Sequence, residues 1–305
     1  SSNESYIGGC CCVLKLEGVF PALITPFTKD GKLDEERLRN LVEFVTEGGV
    51  AGVVPCGTTG ESATLSYEEH ERVIDIVVDC SKVPVVAGTG SNSTREAIEL
   101  TKYAEDAGAD AALLITPYYN KPNRRGLIEH FKAVADATEL PLVLYNVPSR
   151  TGLNMTPDVV AELAGVPNIV GIKEASGNIG QVAKIIKATR DKGFVVLSGD
   201  DALTLPIMAL GGKGVISVAA NIVPKEMSEM VAAMLKGDYE RARELHFRLM
   251  PLFEAMFLET NPIPVKKAAE LLGLANGTLR LPLAELSKEN EEKLRAVLKD
   301  LGLLK

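Results

Sequence analysis

The 305 residues contain no tryptophan, only three histidines and few aromatics, 5% in all. The missing tryptophan excludes nothing at this size. The scarce histidines do: His70, His130 and His246 stand far apart, without the paired spacing of a metal site. The acidic residues do not cluster as metal ligands either. There is no excess of positive charge, since 41 Asp and Glu outnumber 33 Lys and Arg for a net −8. That excludes a global field able to attract nucleic acid or anionic lipid. Apolar runs are short; the longest, such as Gly214–Val223, extend about ten residues, half of a membrane-spanning helix. Five cysteines stand at 10, 11, 12, 56 and 80. Three in a row and an odd total do not make a disulfide framework, which points to a reducing, cytoplasmic compartment. Ser1–Lys15 lacks the apolar core of a signal peptide and reads as a leader or tag-like extension outside the fold.

What is present is a soluble globular composition, 46% apolar and 24% charged, able to build a large core. Short β-branched runs recur at Val19–Ile24, Val50–Pro55, Val83–Ala87, Asp110–Ile115, Leu140–Tyr145, Ile169–Ile172, Phe194–Leu197 and Gly214–Val218. Each is apolar almost throughout, as a strand buried on both faces must be. Amphipathic stretches lie between them. Asp34–Glu47 places Leu38, Leu41, Val42 and Val45 on one face and ends at Gly48–Gly49. Ser66 with Glu69 forms a capping-box pattern, and Pro157 opens Thr156–Ala164. Eight β/α units in succession predict a (β/α)₈ barrel over 16–236, with an open doubly wound sheet as the alternative. Beyond Val223 only helices are expected, at Lys225–Leu235, Tyr239–Leu249, Pro264–Leu272 and Ser287–Leu301. Residues 237–305 therefore read as a C-terminal helical region.

Barrel active sites lie where strands end, so polar residues at those positions come first. Lys173 ends the run Ile169–Ile172. Alternation puts Ile169, Gly171 and Lys173 on one face, and an inward set would place an amine above an apolar floor. A desolvated amine is available in its neutral form to attack a carbonyl; an isolated lysine is more often a solvated surface residue. Tyr145 ends another strand, where a phenol can shuttle protons or simply be half-buried. Arg150 follows in a Pro- and Gly-containing loop where its fork can hold a carboxylate, or merely meet water. Cys56-Gly57-Thr58-Thr59-Gly60-Glu61-Ser62 can turn backbone N–H groups and two hydroxyls toward an anion, or serve only as a tight turn. Thr116–Pro122 is a rigid loop with two phenols, Tyr118 and Tyr119.

Other signals fail. Gly88–Ser93 lacks the third glycine of a dinucleotide fingerprint. Gly211–Gly214 precedes its strand, at the wrong barrel end, and matches no P-loop. Cys56 is better read as a small buried hydrophobe than as a nucleophile. Nothing calls for a cofactor or a metal. The residues alone suggest Schiff-base carbonyl chemistry on an acidic, unphosphorylated substrate.

Six motifs in order, Gly57–Ser62, Thr116–Pro122, Tyr145–Gly152, Gly171–Ala175, Leu197–Asp201 and Asn261–Lys266, resemble the dihydrodipicolinate synthase family from about Leu16 to Leu304. The resemblance implies that Lys173 forms an imine with pyruvate and that the enamine condenses with L-aspartate-4-semialdehyde, on the diaminopimelate route to lysine. It further implies a proton relay of Tyr145, Thr58 and Tyr119, the last from a neighbouring subunit of a homotetramer. Thr59 and the backbone at Ile216 would bind pyruvate, and Arg150 the semialdehyde carboxylate. Ser62, Ala63, His70, Asn92, Glu96 and Tyr118 match a lysine-inhibitor site. Tyr67 stands where lysine-sensitive relatives commonly carry His, so weak or absent inhibition is expected. The alternatives are a sister aldolase acting on a sugar acid, which generally lacks the arginine, and a barrel retained for binding alone.

Overall fold

Apolar runs buried on both faces pair here as parallel strands, described over residues 14–305 in a computed structural model. The strands are β1 (Gly18–Pro21), β2 (Val86–Gly88), β3 (Ala111–Ile115), β4 (Leu142–Asn146), β5 (Ile169–Glu174), β6 (Val195–Ser198) and β7 (Gly214–Ser217). They form one seven-stranded sheet in the order β1-β7-β6-β5-β4-β3-β2.

The expected strand Val50–Pro55 closes the circuit between β1 and β2 without being a regular strand. It forms the bridges Ala22↔Val54 and Val53↔Val85. Val54 N donates to Pro21 O and Val53 N to Pro84 O, both at 2.9 Å, and Val86 N donates to Val53 O at 2.9 Å. Pro21, Pro55 and Pro84 have no N–H to give, so the ladder there is sparse rather than continuous. The result is a TIM-barrel-like α/β fold with additional C-terminal helices.

Alternation divides the strand residues between two cores. Phe20, Val54, Val86, Leu113, Val143, Tyr145, Leu197 and Ile216 fill the barrel interior. Val19, Val53, Ala87, Leu114, Leu144, Ile172 and Val215 face the helices. Strand β5 departs from the expected parity. Ile169 faces the helices with Ile172, and Val170 packs against the interior. The cause is a register shift, in which Leu142 pairs with Ile169 but Val143 pairs with Gly171. The extra residue resets the alternation, as a bulge does, and Lys173 still points inward beside Tyr145.

The helices begin and end on the signals expected. Asp34 accepts from Arg37 N at the start of α1 (Glu35–Glu47), which buries Leu38, Leu41, Val42 and Val45. Ser66 and Glu69 close a capping box on α2 (Tyr67–Cys80). Then come α3 (Thr94–Ala107), α4 (Arg124–Asp136), the single turn α5 (Pro148–Thr151), α6 (Pro157–Leu163), α7 (Ile179–Thr189), α8 (Thr204–Ala209) and α9 (Pro224–Lys236). The C-terminal region holds α10 (Tyr239–Ala255), α11 (Ile263–Leu271) and α12 (Lys288–Asp300). Helix α10 runs past its expected end at Leu249, through Pro251. Pro251 has no N–H to give to the Phe247 carbonyl one turn earlier, while Leu252 and Phe253 continue the buried face.

Of the expected N-terminal extension, residues 1–13 lie outside the described residues. Leu14 packs beside the barrel-interior cluster, and Lys15 pairs with Glu17 at 2.8 Å. No helix among the described residues is long and apolar enough to cross a membrane.

Candidate active site

A cavity of about 600 Å³ opens at the carboxyl ends of the strands, the expected place in such a fold. The barrel side is formed by Thr58, Leu113, Ile115, Tyr145 and Arg150, and the opposite wall by Thr260, Asn261, Pro262, Pro282 and Leu283. The C-terminal region is therefore part of the site.

Beneath Tyr145 lies Lys173. The two are register partners on β4 and β5, and Lys173 Nζ sits 3.9 Å above the centre of the phenol ring. Lys173 is 7% exposed and does not itself line the cavity; Tyr145 joins the two. On the outer side of the same strand ends, Asn146 Nδ2 donates to Glu174 Oε2 at 3.3 Å and to Asn154 Oδ1 at 3.0 Å. Burial pushes the Glu174 carboxyl above its ordinary range. These outer contacts pin the strand ends that carry Tyr145 and Lys173.

The turn after Val54 is compact. Gly60 N donates to Gly57 O at 3.1 Å and Glu61 N to Thr58 O at 3.0 Å. Thr58 faces the cavity, whereas Thr59 is buried and its Oγ1 accepts from Asn261 Nδ2 at 3.0 Å. Arg150 Nη2 donates to the Asn261 carbonyl oxygen at 3.1 Å. Asn261 thus links two residues singled out from the sequence, while its own Oδ1 is buried without a hydrogen-bond partner among the described residues. Ile216 lies in the barrel-interior cluster. The carboxylate of Asp201 accepts from Ser217 Oγ at 2.5 Å and from Ala219 N at 2.9 Å, fixing the chain just after Ile216. Burial pushes Asp201 up to about 6.

Tyr119 is not brought into the site of its own chain. It is 90% exposed, with its backbone in the left-handed region at φ 72°. Cys56 is buried, and burial pushes its thiol upward; the thiolate that a nucleophile requires is disfavoured. Gly88 and Gly90, which suggested a nucleotide fingerprint, have a packing reason. A Cβ at Gly88 would stand 2.3 Å from Cys56 O, and one at Gly90 2.5 Å from Ile115 N.

The positions matched to an inhibitor site share this cavity. Ser62, Ala63, His70, Glu96 and Tyr118 line it, and Asn92 Nδ2 holds the Tyr118 carbonyl at 3.1 Å. His70 Nε2 donates to Gly88 O at 2.7 Å, and burial lowers its basicity. Glu96 is held below the ordinary carboxylate range, first by the Tyr67 hydroxyl and then by that of Ser91; the same contact pushes Tyr67 up to about 12.

The residues that sequence reasoning missed are Asn261, Glu61, Lys266 and Asp201. All four fall within motifs quoted from the sequence, but no local pattern shows that Asn261 and Lys266 meet Thr59 and Glu61 about 200 residues earlier.

Comparison with known proteins identifies the family. The family model described as the dihydrodipicolinate synthetase family matches residues 15–301. A 4-hydroxy-tetrahydrodipicolinate synthase of Methanosarcina barkeri is 65% identical over 288 residues, 94% of this chain and 99% of that one. The crystal structure of dihydrodipicolinate synthase from Aquifex aeolicus superposes with a TM-score of 0.92 at 51% identity, covering 94% of this chain and 99% of that one. The chloride-inhibited enzyme from Acinetobacter baumannii, complexed with pyruvate, superposes with a TM-score of 0.93 at 49% identity, covering 95% and 100%.

Proposed function

The chain belongs to the dihydrodipicolinate synthetase family, and from that premise we propose how its cavity performs the reaction. The activity is that of a 4-hydroxy-tetrahydrodipicolinate synthase, a Schiff-base lyase of lysine biosynthesis acting on pyruvate and L-aspartate-4-semialdehyde. The observation that carries the residue assignment is the buried amine of Lys173 stacked on Tyr145 at the barrel mouth.

Lys173 Nζ attacks C2 of pyruvate. The carbonyl oxygen takes up protons and leaves as water, giving an iminium. Loss of a proton from C3 yields the enamine, whose C3 forms the new carbon–carbon bond at the aldehyde carbon of the semialdehyde. The amine of that substrate then attacks C2, expels Lys173 and closes the ring of 4-hydroxy-tetrahydrodipicolinate. Tyr145 and Thr58, which face the cavity, pass these protons, together with Tyr119 from a second copy. Support for that copy is the exposure of Tyr119, which does not line its own chain's cavity. We take the assembly to be a homotetramer and its location to be cytoplasmic.

Thr59 and the backbone at Ile216 bind the pyruvate carboxylate end, and Arg150 the semialdehyde carboxylate. Both Thr59 and Arg150 are oriented by Asn261, so residues 237–305 act as a cap on the 16–236 barrel rather than as a separate unit. A lysine site at Ser62, Ala63, His70, Asn92, Glu96 and Tyr118 belongs to the same reading, with Glu96 already engaged by Tyr67 and Ser91.

Steady-state turnover with pyruvate plus either the semialdehyde or a sugar-acid aldolase substrate tests the assignment. Efficient reaction with the semialdehyde alone is expected; preference for the sugar-acid substrate would overturn the role given to Arg150.

A further inference from the structure

Lys266, on α11, is completely buried. Its Nζ lies 2.5 Å from Glu61 Oε2, donates to the Thr278 carbonyl oxygen at 2.8 Å and sits 4.0 Å over the ring of Phe27. Glu61 is equally buried in its side chain, and its Oε1 accepts from Arg280 N at 3.2 Å. The Arg280 guanidinium lies 4.2 Å over the same Phe27 ring and binds both Glu69 oxygens, at 2.8 and 2.5 Å, and the Thr64 carbonyl at 2.9 Å.

An ion pair withdrawn from water gains little stability over apolar residues of the same volume. Its worth here lies in where it acts. Glu61 closes the turn that carries Thr58 and Thr59, and its backbone is left-handed at φ 55°, a conformation that a residue with a Cβ adopts only under constraint. The turn is held on both sides of Gly60. Asn261 Nδ2 holds Thr59, Thr25 Oγ1 holds the Gly60 carbonyl at 2.6 Å, and Lys266 holds Glu61. Two of the three restraints come from one short stretch of the C-terminal region, Asn261 to Lys266.

We propose that Lys266 is a positioning residue for the pyruvate-binding turn, acting through its buried contact with Glu61 to set the Thr58 and Thr59 hydroxyls. The proposal rests on the pyruvate role given above to Thr59. It assigns Lys266 no contact with substrate.

The test uses Lys266→Met and Thr59→Val in the full chain, singly and together, with kcat, both KM values and the thermal midpoint measured for each. Lys266→Met is expected to melt cooperatively and to raise the KM for pyruvate about 10- to 100-fold, as a small misplacement of a binding group does. The KM for the semialdehyde should change less. Because both substitutions act on one turn, the double variant should bind pyruvate no worse than the poorer single variant. If Lys266→Met does not fold, Glu61→Gln removes the charge in the same shape and carries the same expectation. Thr59→Val with a normal KM for pyruvate overturns the underlying reading. Thr59→Val with a raised KM, beside an unchanged KM in Lys266→Met or effects that simply multiply, leaves that reading standing and overturns the role of Lys266.

Discussion

Lys173 and Tyr145 face each other across adjacent parallel strands, with the amine nitrogen 3.9 Å above the phenol ring. The contact places the proposed nucleophile and the proposed proton carrier at one point of the barrel mouth. It also separates the ring of Tyr145, which lies against the amine, from its hydroxyl, to which the proton relay is assigned under the proposed function. Tyr145→Phe keeps the first and removes the second. It should lower kcat by about 10²- to 10⁴-fold, the usual worth of a positioned acid–base group, with a much smaller change in the KM for pyruvate. Steady-state kinetics check this; an unchanged kcat would take Tyr145 out of the relay.

Arg150 is aimed into the cavity by its bond to the Asn261 carbonyl. Removing a charged hydrogen-bonding group costs about 1.5–3 kcal/mol, or about 10- to 100-fold in binding. Arg150→Ala should raise the KM for the semialdehyde by that amount and leave the KM for pyruvate nearly as it was. Equal effects on both substrates contradict its assignment.

Gly199 leaves room for the stem of Lys173. A Cβ there would stand 2.7 Å from Ala175 Cβ and 3.0 Å from Lys173 Cγ. Gly199→Ala should cost about 1–3 kcal/mol of stability through overpacking. It should also slow imine formation, followed by the rate of borohydride trapping with pyruvate. A trapping rate equal to that of the unaltered protein would show that the stem has space to spare.

The Arg280 guanidinium beside Glu69 holds that carboxyl down to about 2, from an ordinary value of 4.5. With the folded value depressed, the unfolded chain takes up the proton first as pH falls. The stabilisation is complete above the ordinary value and is lost on the way down to about 2, an amount of about 3 kcal/mol at most. Urea unfolding across that range should show a shallower loss of stability for Glu69→Gln than for the unaltered chain. Parallel curves would mean that the pair contributes nothing to acid sensitivity.

Glu96, which lines the cavity among the positions proposed for a lysine site, is already engaged by the hydroxyls of Tyr67 and Ser91. Lysine should therefore inhibit weakly or not at all, and Tyr67→His should increase sensitivity by freeing Glu96. Strong inhibition of the unaltered enzyme at submillimolar lysine would contradict this.

The barrel was legible because strands buried on both faces are written as continuous apolar runs, and helix ends at Ser66, Asp34 and Gly108 carry side-chain or glycine signals. The ends of those strands pointed to Lys173, Tyr145 and Arg150. Two features were misread for local reasons. The bulge at Val170 resets the parity of β5, and nothing in the run Ile169–Ile172 marks it. The strand at Val50–Pro55 is thinned by its own Pro55 and by Pro21 and Pro84 on the two neighbouring segments, which come together only once the barrel closes. Thr59 with Asn261 and Glu61 with Lys266 were out of reach for a related reason. They join chain segments more than 200 residues apart, and such pairings follow from topology, not from local pattern.

Everything proposed for the cavity depends on Lys173 carrying pyruvate as an imine. Incubating the folded protein with pyruvate and then borohydride, followed by peptide mass analysis, tests it most directly. A single reduced pyruvate adduct is expected on the peptide containing Lys173, absent from Lys173→Ala. No adduct from folded protein, or an adduct on a different lysine, would contradict it.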